Sequence, residues 1–447
     1  MAAGIGLGIS MGWTAAKKGF STVIQGLFAI LEARSTYFEN ANNSKLSVQE
    51  LETASLLDKA SIILTPTGYN KDAIHNVKPS SGTFGDMTLI QNGSATRVNE
   101  NGFVVTNTTD IPRIDYSTGT GAILAELPST NRVLYSEDAS QTASWPTQSN
   151  VTISSVITAA PTGNVGTVYT LEQTGPGTYG LGQPITFSHS SGRGLGLSMW
   201  VRRRSGSGNT GELKFGKGNN LSVEVNTYNV GSDWQRVTWA STGGTSASHI
   251  EVQGEVGQVF EVWGAQAERD GNYGLPGRIS SYIPTSGSAT LRARDNYLNG
   301  GDASLIGAQE GVFFFEGAAL SNAYGGRAVA LSANNSAANR VVLYFDGVGG
   351  QVRTSIQASG ALITLNAGGV TQTNFNKIAV KYKSGDVALW LNGTEVATST
   401  AAFTFNAALS ELAFDQGNGS QHFDGHVKQL VVFKEVLSDS ELAALTS

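Results

Sequence analysis

The chain has 447 residues, a net charge of −6 and no cysteine, and only 14% of its residues are charged. Disulfides, thiolate zinc sites and thiol catalysis are thereby excluded, and the acidic balance (pI ≈ 5.5) favours no nucleic-acid-binding face. The 55 glycines exceed an ordinary share of ~7%; with abundant Ser, Thr and Asn they point to many short strands and tight turns.

The opening MAAGIGLGISMGWTAAKKG places its apolar run before the lysines, so it does not read as a secretory leader. No stretch reaches membrane-spanning length. Residues 1–15 are Gly-rich and expected to be irregular. Residues 20–38 fit a helix, with Val23, Leu27, Ile30 and Leu31 near one face. Residues 47–64, SVQELETASLLDKASIIL, fit a second. Ser47 and Glu50 make its capping box, Leu51, Ala54, Leu57 and Ala60 its stripe, and Pro66-Thr67-Gly68 its stop. Two helices this short need a partner or copies of themselves to pack against.

Residues 70–130 read as an extended junction with short strands near 88–90, 103–105 and 122–124 and turn signals at Asn92-Gly93 and Asn101-Gly102. Residues 131–296 read as one antiparallel β-sandwich. Leu195, Leu197, Met199 and Val201 alternate with Gly196, Ser198, Trp200 and Arg202, the pattern of a half-buried strand. Residues 234–239 and 258–266 are further strands. Residues 297–447 read as a second sandwich. In it the strands 378–382 and 387–391 are followed by Asn392-Gly393, a type I′ hairpin signal, and by a strand at 395–399. Ser438 and Glu441 cap a terminal helix. The fold class is therefore mainly β: an N-terminal helical segment (1–69), a junction (70–130) and two antiparallel β-sandwich, jelly-roll domains.

Five strings carry a resemblance. SATRVNENG, PRIDY and TNRVLYSED in the junction, VWGAQAERDGN at 262–272 and SYIPTSGSATLRARD at 281–295 resemble a module of bacteriophage tail fibres and related virion proteins. That resemblance implies a carbohydrate-binding-module-like jelly roll over 131–296, an N-terminus that anchors to other virion proteins, homotrimers, and assembly in the host bacterial cytoplasm into the virion. The hairpin, the HFDGHVKQLVVF strand and LSDSELAAL resemble the concanavalin A-like, laminin-G-like lectin and glucanase domain. The expected role is a fibre or spike subunit that displays sandwiches for attachment to host-surface polysaccharide. The alternatives are a head fibre, capsid decoration, tail or collar protein whose sandwiches serve assembly contacts, a polysaccharide depolymerase, and a secreted cellular lectin.

The glucanase relatives carry catalytic carboxylates as E-x-D-x-x-E on one strand, because a retaining glycosidase needs two carboxyl groups about 5 Å apart. No such string occurs here, and Glu310, Glu316 and Glu411 stand singly. No catalytic residue, enzyme activity or cofactor is therefore expected. Aromatic rings stack on sugars. Trp200, on the strand face opposite Leu197 and Met199, is the ring expected to face outward, with Trp234 and Arg202 as ligand-binding candidates. Arg202-Arg203-Arg204 reads first as a solvated strand edge and second as an anion site. His422, Asp424 and His426 would share a strand face and are the candidate metal set, against the reading that Asp424 and Gly425 only shape a turn.

Overall fold

A computed structural model describes residues 56–79, 85–146, 150–176, 180–186, 194–218, 224–241, 247–269, 278–322, 327–346 and 350–447. The expected helix at 20–38 and the start of the second at 47–55 lie outside these residues. The end of the second helix is overturned. Leu56–Lys59 form a turn, with the Lys59 and Ala60 N–H groups donating to the Leu56 carbonyl, and Ala60–Asn70 is a strand. Burial on both sides explains the change. Ile62 and Leu64 enter one core while Ile63 enters another, and a strand with two covered faces has a continuous apolar run rather than alternation. Pro66, which has no N–H to donate, sits where the pairing with Ala73–Lys78 slips between Leu64 and Tyr69.

That strand belongs to the C-terminal sandwich. Among the described residues its large sheet runs Asn296–Leu298, Met87–Ile90, Ala73–Lys78, Ala60–Asn70, Gly425–Phe433, Glu310–Ala319, Asn376–Lys383, Val387–Leu391 and Thr394–Ser399. Ala122–Ala125 also pairs with Gly425–Phe433, and Ile114–Asp115 pairs with Ala122–Ala125. The segment expected to bridge two domains thus supplies strands to one of them. Facing this sheet is a second one, ordered Ala361–Ala367, Gln351–Ala358, Asn339–Asp346, Arg327–Ser332 and Glu411–Ala413. Phe313, Phe315, Phe345, Phe414 and Phe423 fill the space between them. Phe315 and Phe423 meet edge to face at 5.3 Å, a favoured aromatic geometry.

The other sandwich packs a sheet ordered Gln235–Ser241, Leu195–Ser205, Val259–Arg269, Val165–Gln173 and Val151–Ala159 against one ordered Leu181–Thr186, Ala247–Gly254, Gly211–Lys217 and Val225–Val230. Leu197, Met199 and Val201 point into this core with Leu213, Phe215 and Val252.

Two local expectations hold. Asn392 and Gly393 both have positive φ (47° and 85°), as a type I′ turn requires. The helix Asp439–Thr446 carries the full capping box: the Ser438 hydroxyl accepts from the Glu441 N–H, and the Glu441 carboxylate accepts from the Ser438 N–H. Its Leu442 and Leu445 pack under the large sheet with Ile63 and Trp390. Ser438→Ala is expected to cost about 1 kcal/mol, read as a lower urea midpoint of the full chain.

Candidate functional site

The quoted motif strings converge on one place, the joint between the two sandwiches. Arg113, of PRIDY, is buried and donates to Glu126 (2.6 Å), to Asp295 and to the Thr96 carbonyl (3.0 Å). Glu126 also accepts from the Ser281 N–H (2.7 Å) and hydroxyl (2.6 Å), and Arg292 lies 3.4 Å away. Asp295 accepts from the Glu126 N–H at 2.9 Å. Arg278 forks onto both oxygens of Asp424 at 2.7 Å each and also donates to the Leu127 carbonyl. That last ion pair crosses from one sandwich to the other. Asp115, 3.0 Å from His426 Nε2, ties two strands within the large sheet beside this pair.

Three guanidinium groups, Arg113, Arg278 and Arg292, therefore face three carboxylates, Glu126, Asp295 and Asp424, in a buried site. Burial alone would push the Glu126 carboxyl up, but the guanidinium groups of Arg292, Arg113 and Arg278 outweigh it and hold it well below the usual carboxylate range. Arg113 is held above its ordinary value by Asp295 and Glu126 in spite of its burial. Isolated charges could not be buried in this way, so each of these groups depends on the others.

On the outer face of the Leu195–Ser205 strand sits an aromatic cluster. Trp200 meets Trp263 at 5.6 Å and Tyr282 at 5.4 Å, both edge-on, and the Arg236 guanidinium stacks 4.5 Å above its ring. The chain bulges here, since the pairing of 195–205 with 259–269 slips between Ser198 and Trp200. Gly264 of VWGAQ takes φ +67°, and a Cβ on it would lie 2.9 Å from the Trp200 ring. Only glycine meets both demands cheaply.

The structure corrects the expectation for Trp200. It does leave the core face, as the alternation requires, but it is only 8% exposed. The second face of the sheet is also covered, by Val104 and Tyr282, and strand alternation cannot reveal a second covering layer. Trp234 is half-buried, donates from Nε1 to the Ala159 carbonyl at 3.0 Å, and carries Arg202 stacked 4.7 Å above it. Arg202 and Arg204 both pair with Glu261 at 2.6 Å, and Arg203 binds Gln258. The arginine run is thus tied to neighbouring side chains. Arg202 and Trp234 are brought together; Trp200 lies in the layer beneath them, against Arg236.

The metal set does not assemble. Asp424 is engaged by Arg278 and His426 by Asp115, while burial lowers the His422 pKa and favours its neutral form. Among the described residues no three His, Asp or Glu side chains gather as a metal site. Local strand parity grouped these residues, but Asp424 and His426 take their partners from distant segments, and the strand that holds His426 begins only at Gly425. Glu316 is likewise bound to Gln429, Glu310 to Lys383, and Glu411 accepts from the Asn299 N–H.

A cavity of about 90 Å³ opens beside the joint, lined by Arg97, Asp115, Trp200, Arg236, Tyr282 and His426 among others. That is room for a few waters and far below the ~300 Å³ at which small-molecule pockets begin. The chemistry of this region is accordingly that of a fastening. Sequence reasoning missed Arg113, Glu126, Arg278, Arg292 and Asp295 as a unit. The available signal was that Arg113, Arg292 and Asp295 lie inside the motif strings of a chain so poor in charge; Glu126 and Arg278 lie outside them.

One carboxyl lies apart from the joint. Glu251 stands between Gly182 and Gly216 on neighbouring strands and accepts from the Gly180 N–H at 2.9 Å, and its other oxygen has no partner among the described residues. Burial pushes it up to about 7, against that one hydrogen bond. A raised carboxyl pKa favours the fold below the unfolded value of ~4.3 and loses that advantage as pH rises through the folded value. Stability is thus expected to fall by up to about 3 kcal/mol between pH 4.5 and 7.5. Urea unfolding of Glu251→Gln should lose that slope; an unchanged slope would exclude Glu251 as its source.

Residues 319–443 match a laminin-G-like family model described as the concanavalin A-like lectin/glucanases superfamily. No curated protein matches the chain. Similar solved structures include the CBM40 of the Ruminococcus gnavus IT-sialidase, at 21% identity and TM-score 0.29 over 32% of this chain and 86% of that one. Domain 4 of AbnA, a GH43 extracellular arabinanase from Geobacillus stearothermophilus, is 13% identical at TM-score 0.29, covering 38% and 82%. A heptameric pentraxin from Limulus polyphemus is 12% identical at TM-score 0.26, covering 31% and 70%. The segment 319–443, in a mainly β chain, thus matches the concanavalin A-like, laminin-G-like family model and lies in a sandwich of two facing sheets.

Proposed function

We propose that this chain is a bacteriophage virion structural protein, a fibre or spike subunit whose N-terminal segment grips other virion proteins and whose two sandwiches are displayed towards host-surface glycans. The observation that supports it is the buried joint. Arg113, Ser281, Arg292 and Asp295 of this joint belong to the strings that resemble the phage module, and they hold Glu126 beside the Arg278–Asp424 pair that crosses between the sandwiches. A fastening of this kind suits a part that must hold two modules at a fixed angle at the end of a lever. Weak sugar contacts multiplied by copy number then give firm attachment. The role is binding without catalysis.

A second reading, in which the sandwiches serve assembly contacts within the particle, is favoured by the engagement of Trp200 and Trp234 with Arg236 and Arg202. Binding of the labelled full chain to a panel of intact bacterial strains, with and without purified surface polysaccharide as competitor, separates the two. Saturable binding abolished by competitor is expected for attachment. Absence of binding across the panel, with the chain found in purified particles by mass spectrometry, would leave the assembly role.

A further inference from the structure

The strand Val151–Ala159 forms one edge of its five-stranded sheet. It pairs with Val165–Gln173 at all nine positions without a register shift, and among the described residues no strand lies beyond it. Thr152, Ser154, Ser155 and Ile157 are exposed, Ile157 by 73%. Natural edges are guarded by charges, prolines or bulges. The opposite edge of the same sheet, Gln235–Ser241, carries Arg236; the edge Leu181–Thr186 of the facing sheet carries Pro184; the edge Thr394–Ser399 of the other sandwich carries Glu395. Val151–Ala159 has no charge, no proline and no bulge, which it shares with the edges Val225–Val230 and Ala361–Ala367; what sets it apart is its sequence, V-T-I-S-S-V-I-T-A.

That sequence is nearly its own reverse about Ser155. If two copies pair antiparallel around a two-fold axis through Ser155, Ile153 faces Ile157 of the partner subunit. Thr152 then faces Thr158 of the partner subunit, and Val151 faces Ala159 of the partner subunit. Only the Ser154–Val156 pair is mixed. Side-chain parity is also kept. Odd-numbered residues share one face, on which Val151 and Ile153 already pack against the core while Ile157 lies open. Pairing would lay each exposed Ile157 beside a half-buried Ile153 and extend the apolar row across both copies, and like β-branched residues are favourable cross-strand neighbours. We infer that Val151–Ala159 is a self-recognition edge that joins two copies of this chain into one continuous sheet. The contact is isologous and so is distinct from any three-fold contact. One strand pair is smaller than the about 1,200 Å² of a stable interface, so it works between copies that are already held close.

The absence of cysteine makes the register testable in the full chain. Ser155→Cys places two thiols directly opposite, at a Cα separation of about 5 Å, inside the disulfide range of about 4.4–6.8 Å. In Ile157→Cys and Thr152→Cys the equivalent thiols lie about 13 Å or more apart. Under mild oxidation at concentrations up to about 1 mM, Ser155→Cys is expected to form covalent dimers at least about tenfold faster than either control. Adding Ile157→Lys to Ser155→Cys should remove that advantage, because it puts like charges into the paired edge. Equal rates at all three positions, or no dimer from Ser155→Cys at the highest concentration, would overturn the inference. All three sites are exposed, so the variants should fold, which circular dichroism checks.

Discussion

Glu126→Ala should lower the unfolding free energy of the full chain by about 3–5 kcal/mol, the range for removing one member of a buried charge set. The loss is not that of one good contact. Arg113 and Arg292 would remain in a buried site facing one carboxylate fewer, and the Ser281 N–H and hydroxyl would lose their acceptor. Glu126→Ala combined with Arg113→Met should recover part of the deficit, because the second change removes an uncompensated charge. The pH signature is also defined. Glu126 is held below its ordinary value, so its stabilising effect is complete above the unfolded carboxyl pKa and is lost only as pH falls through the low folded value. Its contribution should thus be flat from pH 6 to 9, where the Glu251 slope is still falling at its acid end. A loss under about 1 kcal/mol for Glu126→Ala would mean that the joint does not hold the sandwiches together.

Trp200→Ala should cost a similar ~3–5 kcal/mol, as large-to-small changes at buried aromatics do. Its ring fills the layer between the sheet, Tyr282 and Val104, and its removal also strands the Arg236 guanidinium that lies on it. The two roles for this tryptophan separate in one pair of measurements. As a packing residue it should lower the urea midpoint and leave cell binding by the folded fraction unchanged. Lost binding with an unchanged midpoint would restore it as a sugar-stacking ring. Arg202 shares the buried carboxylate of Glu261 with Arg204, so its removal leaves that carboxylate one partner and should cost less than Glu126→Ala.

The elements legible in the sequence are those whose cause is local. The alternation at 195–201, the Asn392-Gly393 turn and the Ser438 capping box are each written within a few residues, and each is found in place. The strand at Ala60–Asn70 is not legible locally because a two-sided strand and the last turns of an amphipathic helix share the same run of Ile and Leu. What decides between them is Gly425–Phe433, at the other end of the chain. The site followed the same rule. The motif strings were visible, but their charges could not be assigned to one another until the fold brought Arg113 to Asp295 and Arg278 to Asp424. Asp424 and His426 show the converse: near neighbours in sequence whose partners, Arg278 and Asp115, lie elsewhere.

The position of Gly425–Phe433, between Ala60–Asn70 and Glu310–Ala319, sets a timetable for biosynthesis. Ser61 and the Val432 carbonyl it binds are 371 residues apart. A ribosome adding ~5–20 residues per second takes about 20–70 s to cover that distance. Throughout that interval Ile62, Ile63 and Leu64 have no closing strand, and loop closure over such a span is slow. The large sheet therefore cannot complete until Gly425–Phe433 has been made, and the nascent chain is most exposed to misassociation with its siblings when many ribosomes make it at once.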